Sequence, residues 1–281
     1  MIVPILKKIL GRIRKGCKII SGGDTKTVIQ RAFPRVNKDA VFVFGNQKSG
    51  TTVIAALLSD LAELSSTLDI RTWAVEEQDL LHQGRLSFED FVHKHRYEFS
   101  SELIKEPALT FLYDEVRRYF TLSKAVFVIR DPRDNIRSIL NRVNRSGRKA
   151  TIENLDELPE AWQRIVDNRW MGLEYDHYID SMAARWNRAA DVYLEHADEM
   201  ILARYEDFVV DKVGTIEQLA QRLGLPQVND VSAKVDIQYQ PRGKREVSWE
   251  EFFGQENLER IERICSSRMK KLGYSVEIAR E

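Results

Sequence analysis

The chain has 281 residues, of which 43% are hydrophobic and 31% charged, enough apolar material for one well-buried core or a core with a lid. Lys plus Arg and Asp plus Glu number 43 each, so a formal net charge of zero excludes bulk electrostatic attraction to nucleic acid. Two cysteines near opposite ends, Cys17 and Cys265, exclude a disulfide framework and metal-finger spacing and point to a reducing, cytoplasmic setting.

Residues 1–23 form the first segment. Ile2, Val3, Ile5, Leu6, Ile9, Leu10 and Ile13 alternate with Lys7, Lys8, Arg12, Arg14, Lys15 and Lys18, an amphipathic basic pattern ending at Ser21, Gly22 and Gly23. Residues 2–20 could lie as a helix on an anionic membrane surface, or pack against the body. They hold no uninterrupted apolar span of membrane thickness and no small-residue cleavage site. Residues 36–281 are expected to form a single domain.

The strongest local signal is the run Val41 to Thr52. An apolar strand, Ala40 to Phe44, breaks into Gly45-Asn46-Gln47-Lys48-Ser49-Gly50-Thr51-Thr52 before a helix over 50–64. A buried parallel strand delivering such a loop to a helix N-terminus aims unpaired N–H groups and the positive dipole end at an anion, with Lys48 as an added cation. The loop departs from the nucleoside-triphosphate template. Gly45 and Gly50 keep the spacing, but Thr51 stands where that template places lysine.

A polar region of variable character runs to Phe99, followed by a strand or turn at 103–106 and a helix over 109–120. Ala125 to Ile129 is a second continuous apolar run, suited to a strand covered on both faces. Asp131 is placed to cap a helix whose first position is Pro132. Arg130 therefore sits at a strand's carboxyl end, and Ser138 lies about two turns along the next helix. An acidic stretch, 151–159, is a candidate lid, and helical pattern dominates 162–198. A strand at 200–203 leads into Arg204-Tyr205-Glu206-Asp207-Phe208, and a helix over 213–223 ends at Gly224. Alternating strands and helices predict an α/β fold, a three-layer sandwich with a central parallel sheet flanked by helices. Ligands are expected at the carboxyl ends of its strands.

Lys-Ser-Gly-Thr-Thr after an apolar strand, Arg-Asp-Pro-Arg with a serine farther along its helix, and Arg-Tyr-Glu-Asp-Phe together resemble the sulfotransferases. That resemblance implies the P-loop-like sulfotransferase fold and 3′-phosphoadenosine 5′-phosphosulfate (PAPS) as sulfuryl donor, with no metal. It implies in-line transfer to the hydroxyl of a glycan, lipid or small molecule. Lys48, Ser49, Gly50, Thr51 and Thr52 would hold the 5′-phosphosulfate, and Arg130 and Ser138 the 3′-phosphate. Tyr205 would lie near the adenine, and Arg242 and Lys244, in Gln-Pro-Arg-Gly-Lys, would belong to the last nucleotide loop. Lys105, before Glu106 and Pro107, would contact the sulfuryl oxygens. Pro107 replaces the histidine that cytosolic members use as base, so the resemblance shifts that role to Glu77, with Glu76, His82, His93 and His95 as alternates. Val53 replaces a tryptophan that often stacks on adenine. A P-loop kinase or ATPase is the competing class; it requires magnesium and a lysine beside the helix start.

Overall fold

A computed structural model describes residues 34–151, 153–237 and 247–276. The basic segment 1–23 and the pair Arg242 and Lys244 lie outside the described residues. The elements below all fall within the unit Val36–Glu281.

Five parallel strands form one sheet in the order β2-β3-β1-β4-β5. They are β1 (Val41–Phe44), β2 (Ser66–Thr67), β3 (Leu103–Lys105), β4 (Ala125–Ile129) and β5 (Ile201–Arg204). The helices are α1 (Thr51–Ala62), α2 (Val75–His82), α3 (Phe88–Lys94), α4 (Tyr113–Tyr119), α5 (Pro132–Arg142), α6 (Glu160–Val166), α7 (Tyr178–Glu195), α8 (Tyr205–Val210), α9 (Lys212–Arg222), α10 (Trp249–Phe253) and α11 (Gln255–Lys271).

The period-2 geometry of a strand divides the two apolar runs between two layers. Phe42, Phe44, Phe127 and Ile129 enter one core with Ile136 and Ile139 of α5, Met182 and Trp186 of α7 and Ile261 of α11. Val41, Val43, Val126 and Val128 enter the other, against Ile54, Leu57 and Leu58 of α1 and Ile216 and Leu219 of α9. Aromatic rings thus fill the thick side and valines the thin one, which gives the expected three layers.

Two expectations are corrected. The polar region 65–101 contains β2, α2 and α3, because Trp73, Phe88, Phe91 and Phe99 anchor those short segments to the thick core. The helical stretch 162–198 is interrupted between α6 and α7, where Asn168 is buried to bond the 166–181 backbone and Gly172 takes a left-handed φ of 72°. The acidic stretch contains a short 3-10 turn at Leu155–Glu157.

β1 is the point where the chain turns from building one half of the sheet to the other. β3 pairs it on one side and β4 on the other, with Val43 beside Lys105 and Phe44 beside Phe127. The loop after β1 therefore opens at the topological switch point.

Candidate active site

Close packing at the end of β1 shapes the loop. Gly45 has φ 140°, and a β-carbon there would stand 2.3 Å from the Val128 carbonyl oxygen of β4, so only glycine fits. Its amide donates to Thr110 Oγ1 over 2.9 Å. Asn135 of α5 braces the loop from below: its Nδ2 donates to the Gln47 carbonyl (2.9 Å) and to Ser49 Oγ (3.0 Å), and its Oδ1 accepts from Asn46 Nδ2 (3.0 Å). Lys48 takes a left-handed φ of 69°, costly for a residue with a β-carbon and tolerated only where surroundings enforce it. Gly50 follows with φ 100° and supplies no side-chain cap to α1, so the first-turn amides of that helix face the loop mouth.

Arg130, at the end of β4, meets this loop directly. Its Nη1 donates to the Lys48 carbonyl over 3.3 Å, its Nη2 lies 3.9 Å from Asp134 Oδ2, and its own carbonyl accepts from the indole of Trp186 at 2.9 Å. Tyr205, first residue of α8, closes the same corner. The Arg130 guanidinium lies 4.7 Å from its ring centroid, and a β-carbon on Gly50 would be 2.3 Å from the ring edge. Ser138, half-buried, follows Asp134 by four residues and so shares its face of α5. Lys48, Gly50, Arg130 and Tyr205 are thus brought to one corner by the carboxyl ends of β1, β4 and β5.

The loop hydroxyls divide. Thr52 is half-buried in the first turn of α1, and Thr51 is buried beside it. Ser49, expected as a phosphate ligand, is fully buried under the loop, where its hydroxyl meets Asn135 and its amide donates to the Asn46 carbonyl over 3.2 Å. Its side chain shapes the cradle from beneath.

Across β1, Lys105 ends β3 with its Nζ 2.6 Å from Asp69 Oδ1; the lysine is buried and the aspartate about half exposed, at 53% of its side chain. The half-buried Glu106 carboxylate accepts from the amides of Ile70 (3.1 Å) and Ala108 (3.1 Å), pinning the Asp69 segment to the strand end. Burial pushes its pKa up, against the opposing pull of Lys105.

Glu77, expected as the base, opens α2 with its carboxylate engaged on both oxygens. Its Oε1 is paired with Lys94 at 2.5 Å, while its Oε2 accepts from the Ala74 amide (3.0 Å) and contacts His95 Nε2 (3.0 Å). Burial pushes its pKa up, but the Lys94, Ala74 and His95 contacts outweigh it and hold the carboxyl below its ordinary value. Both oxygens are engaged in capping α2 and tying it to α3. Glu76, the residue before it in α2, is exposed, His93 pairs with Glu89 on the surface, and His95 is engaged by Glu77 and Thr72. His82 packs edge-on against Trp170, 4.6 Å between centroids. Burial, with Arg188 and Arg185 nearby, holds its pKa down at about 4 despite Asp79, so the ring is neutral at pH 7.

Five residues escaped the sequence reading: Asn135, Thr110, Asp69 and the α7 pair Arg185 and Trp186. Asn135 carried a usable signal, since it follows the cap Asp131 by four residues and shares its face of α5.

Comparisons with known proteins bear on the whole arrangement. The family model described as "Sulfotransferase domain" matches residues 38–240. No curated protein matches the chain. Among solved structures, sulfotransferase STF9 from Mycobacterium avium is 14% identical with a TM-score of 0.50, covering 90% of this chain and 81% of that one. A sulfotransferase from Alicyclobacillus acidocaldarius is 16% identical (TM-score 0.44; 82% and 97% covered). Retinol dehydratase in complex with androsterone and inactive cofactor PAP is also 16% identical (TM-score 0.42; 90% and 87% covered). The likeness to STF9 shows the fold. The family match takes in the loop after β1, Lys105, Arg130, Ser138 and Tyr205, and because it spans most of the chain, the protein belongs to the sulfotransferase domain family and transfers a sulfuryl group.

Proposed function

We propose that the enzyme draws its sulfuryl group from PAPS and delivers it to an acceptor hydroxyl, releasing adenosine 3′,5′-bisphosphate. The observation that carries this reading is the single corner shared by Lys48 and Arg130. A nucleotide with anions at both ends needs two cationic sites that open together, and a triphosphate does not. The loop mouth with Lys48, Thr51 and Thr52 suits the 5′-phosphosulfate, Arg130 with Ser138 the 3′-phosphate, and Tyr205 a border for the base. Arg242 and Lys244 are proposed to complete the 3′ side, and no metal is needed for the charge balance.

Chemistry then falls to two lysines and one carboxylate. Lys48 and the first-turn amides of α1 stabilise the charge that develops on the bridging oxygen. Lys105, from the neighbouring strand end, suits the sulfuryl oxygens. Asp69, half exposed and bonded to Lys105, replaces Glu77 as the proposed base. As the acceptor oxygen bonds to sulfur and the sulfur-to-bridging-oxygen bond breaks, its carboxylate takes the hydroxyl proton. Phe111, Trp170 and neutral His82 offer an apolar wall for the acceptor.

Calorimetry with adenosine 3′,5′-bisphosphate against ATP with magnesium tests the reading. Metal-independent micromolar binding of the bisphosphate is expected, and equal or tighter binding of ATP would favour a kinase instead.

A further inference from the structure

Arg185 of α7 is 0% exposed, yet no carboxylate among the described residues lies within ion-pairing distance of it. Its three nitrogens are spent on neutral amide oxygens: Nε on Asn46 Oδ1 (2.9 Å), Nη1 on Asn168 Oδ1 (2.8 Å) and Nη2 on Gln47 Oε1 (2.5 Å). Its guanidinium carbon lies 4.3 Å from the Phe111 ring centroid and 5.8 Å from that of Trp170, aromatic faces that stabilise a cation without neutralising it. Arg133, the other fully buried arginine, shows what the fold does when a charge serves the framework. It pairs with both Asp131 (2.6 Å) and Glu262 (2.7 Å).

A buried charge left unpaired is expensive, and proteins ordinarily neutralise it or supply a counter-ion. Two of the three partners of Arg185, Asn46 and Gln47, belong to the loop after β1, and the residue next to Arg185, Trp186, holds the Arg130 carbonyl. The missing negative charge is therefore sought on the loop's far side, where the proposed donor would place its 5′-phosphosulfate. Burial alone pushes the pKa of Arg185 down to about 9, which leaves it charged at neutral pH.

We propose that Arg185 is a positioning residue whose counter-ion is the 5′-phosphosulfate of the donor: its charge acts through Asn46 and Gln47 to hold the loop open and positive before the donor arrives. The proposal rests on the PAPS reading and makes a claim specific to one end of the nucleotide. Removing the charge weakens binding at the 5′ end, and binding at the 3′ end is left intact.

The test compares adenosine 3′,5′-bisphosphate with adenosine 3′-monophosphate, which lacks the 5′ group, on wild type, Arg185→Gln and Arg185→Lys. Wild-type binding of the bisphosphate checks the donor reading separately; its absence would remove that reading whatever the variants do. Given that binding, Arg185→Gln is expected to lose about thirtyfold in bisphosphate affinity while 3′-monophosphate affinity stays within about twofold. Arg185→Lys, which keeps the charge and loses the fork, is expected to recover most of the loss. Equal weakening of both ligands, no weakening of either, no recovery in Arg185→Lys, or failure of both variants to fold would each overturn the proposal, since each makes the guanidinium a framework tie or a bystander.

Discussion

Tyr205 lies over Gly50 so closely that a β-carbon at residue 50 would stand 2.3 Å from the ring. The glycine that frees the loop for φ 100° is thus also what admits the aromatic lid of the same corner. Gly50→Ala meets both penalties, and the backbone strain alone costs about 1–3 kcal/mol. Loss of at least about tenfold in bisphosphate affinity is expected by calorimetry, given that scale. In a Tyr205→Ala background the same substitution should cost less, because the ring no longer opposes it. Equal losses in both backgrounds would show that ring contact plays no part.

Asp69 and Glu77 separate catalysis from scaffolding. Asp69→Asn is expected to lower kcat about a hundredfold or more with bisphosphate affinity unchanged, the signature of a lost general base. Glu77→Gln is expected to leave kcat near wild type and to lower stability by about 1–3 kcal/mol, as buried partners lose their acceptor. Steady-state kinetics with an accepted hydroxyl compound, set beside thermal melts, distinguish them. A reversed pattern would return the base to Glu77.

His82 gives a pH signature. Its folded pKa of about 4 lies below the ordinary value of 6.5, so the unfolded chain binds the extra proton first. The contribution of the neutral ring to stability is fully present above about pH 6.5 and is lost as pH falls from there toward 4. Chemical denaturation across that window should show a shallower slope for His82→Phe than for wild type. Parallel slopes would place His82 in solvent.

The parts of this site legible in the sequence are those with local causes. Ala40 to Thr52 pairs a continuous apolar run with Gly45 and Gly50, Lys124 to Ile136 pairs one with the cap Asp131 and Pro132, and both elements appear where expected, with Asp131 accepting from the Arg133 amide at 2.9 Å. What escaped depends on contacts between distant segments. Glu77 presents itself as a carboxylate in a polar stretch, and only the approach of Lys94 and His95 from α3 reveals its oxygens as spent. Arg185 stands in an amphipathic helix where a charged residue reads as solvent-facing. Its burial follows from the approach of Asn46, Gln47, Asn168 and the Phe111 ring, all remote in sequence.

The claim that one nucleotide bridges Lys48 and Arg130 is tested most directly by a binding cycle. Adenosine 3′,5′-bisphosphate and adenosine 5′-monophosphate are titrated into wild type and Arg130→Ala. Wild type should prefer the bisphosphate strongly, and the substitution should cost about a hundredfold on the bisphosphate with little change on the monophosphate, so that the preference collapses. Equal weakening of both ligands, or a wild type indifferent to the 3′-phosphate, would contradict it.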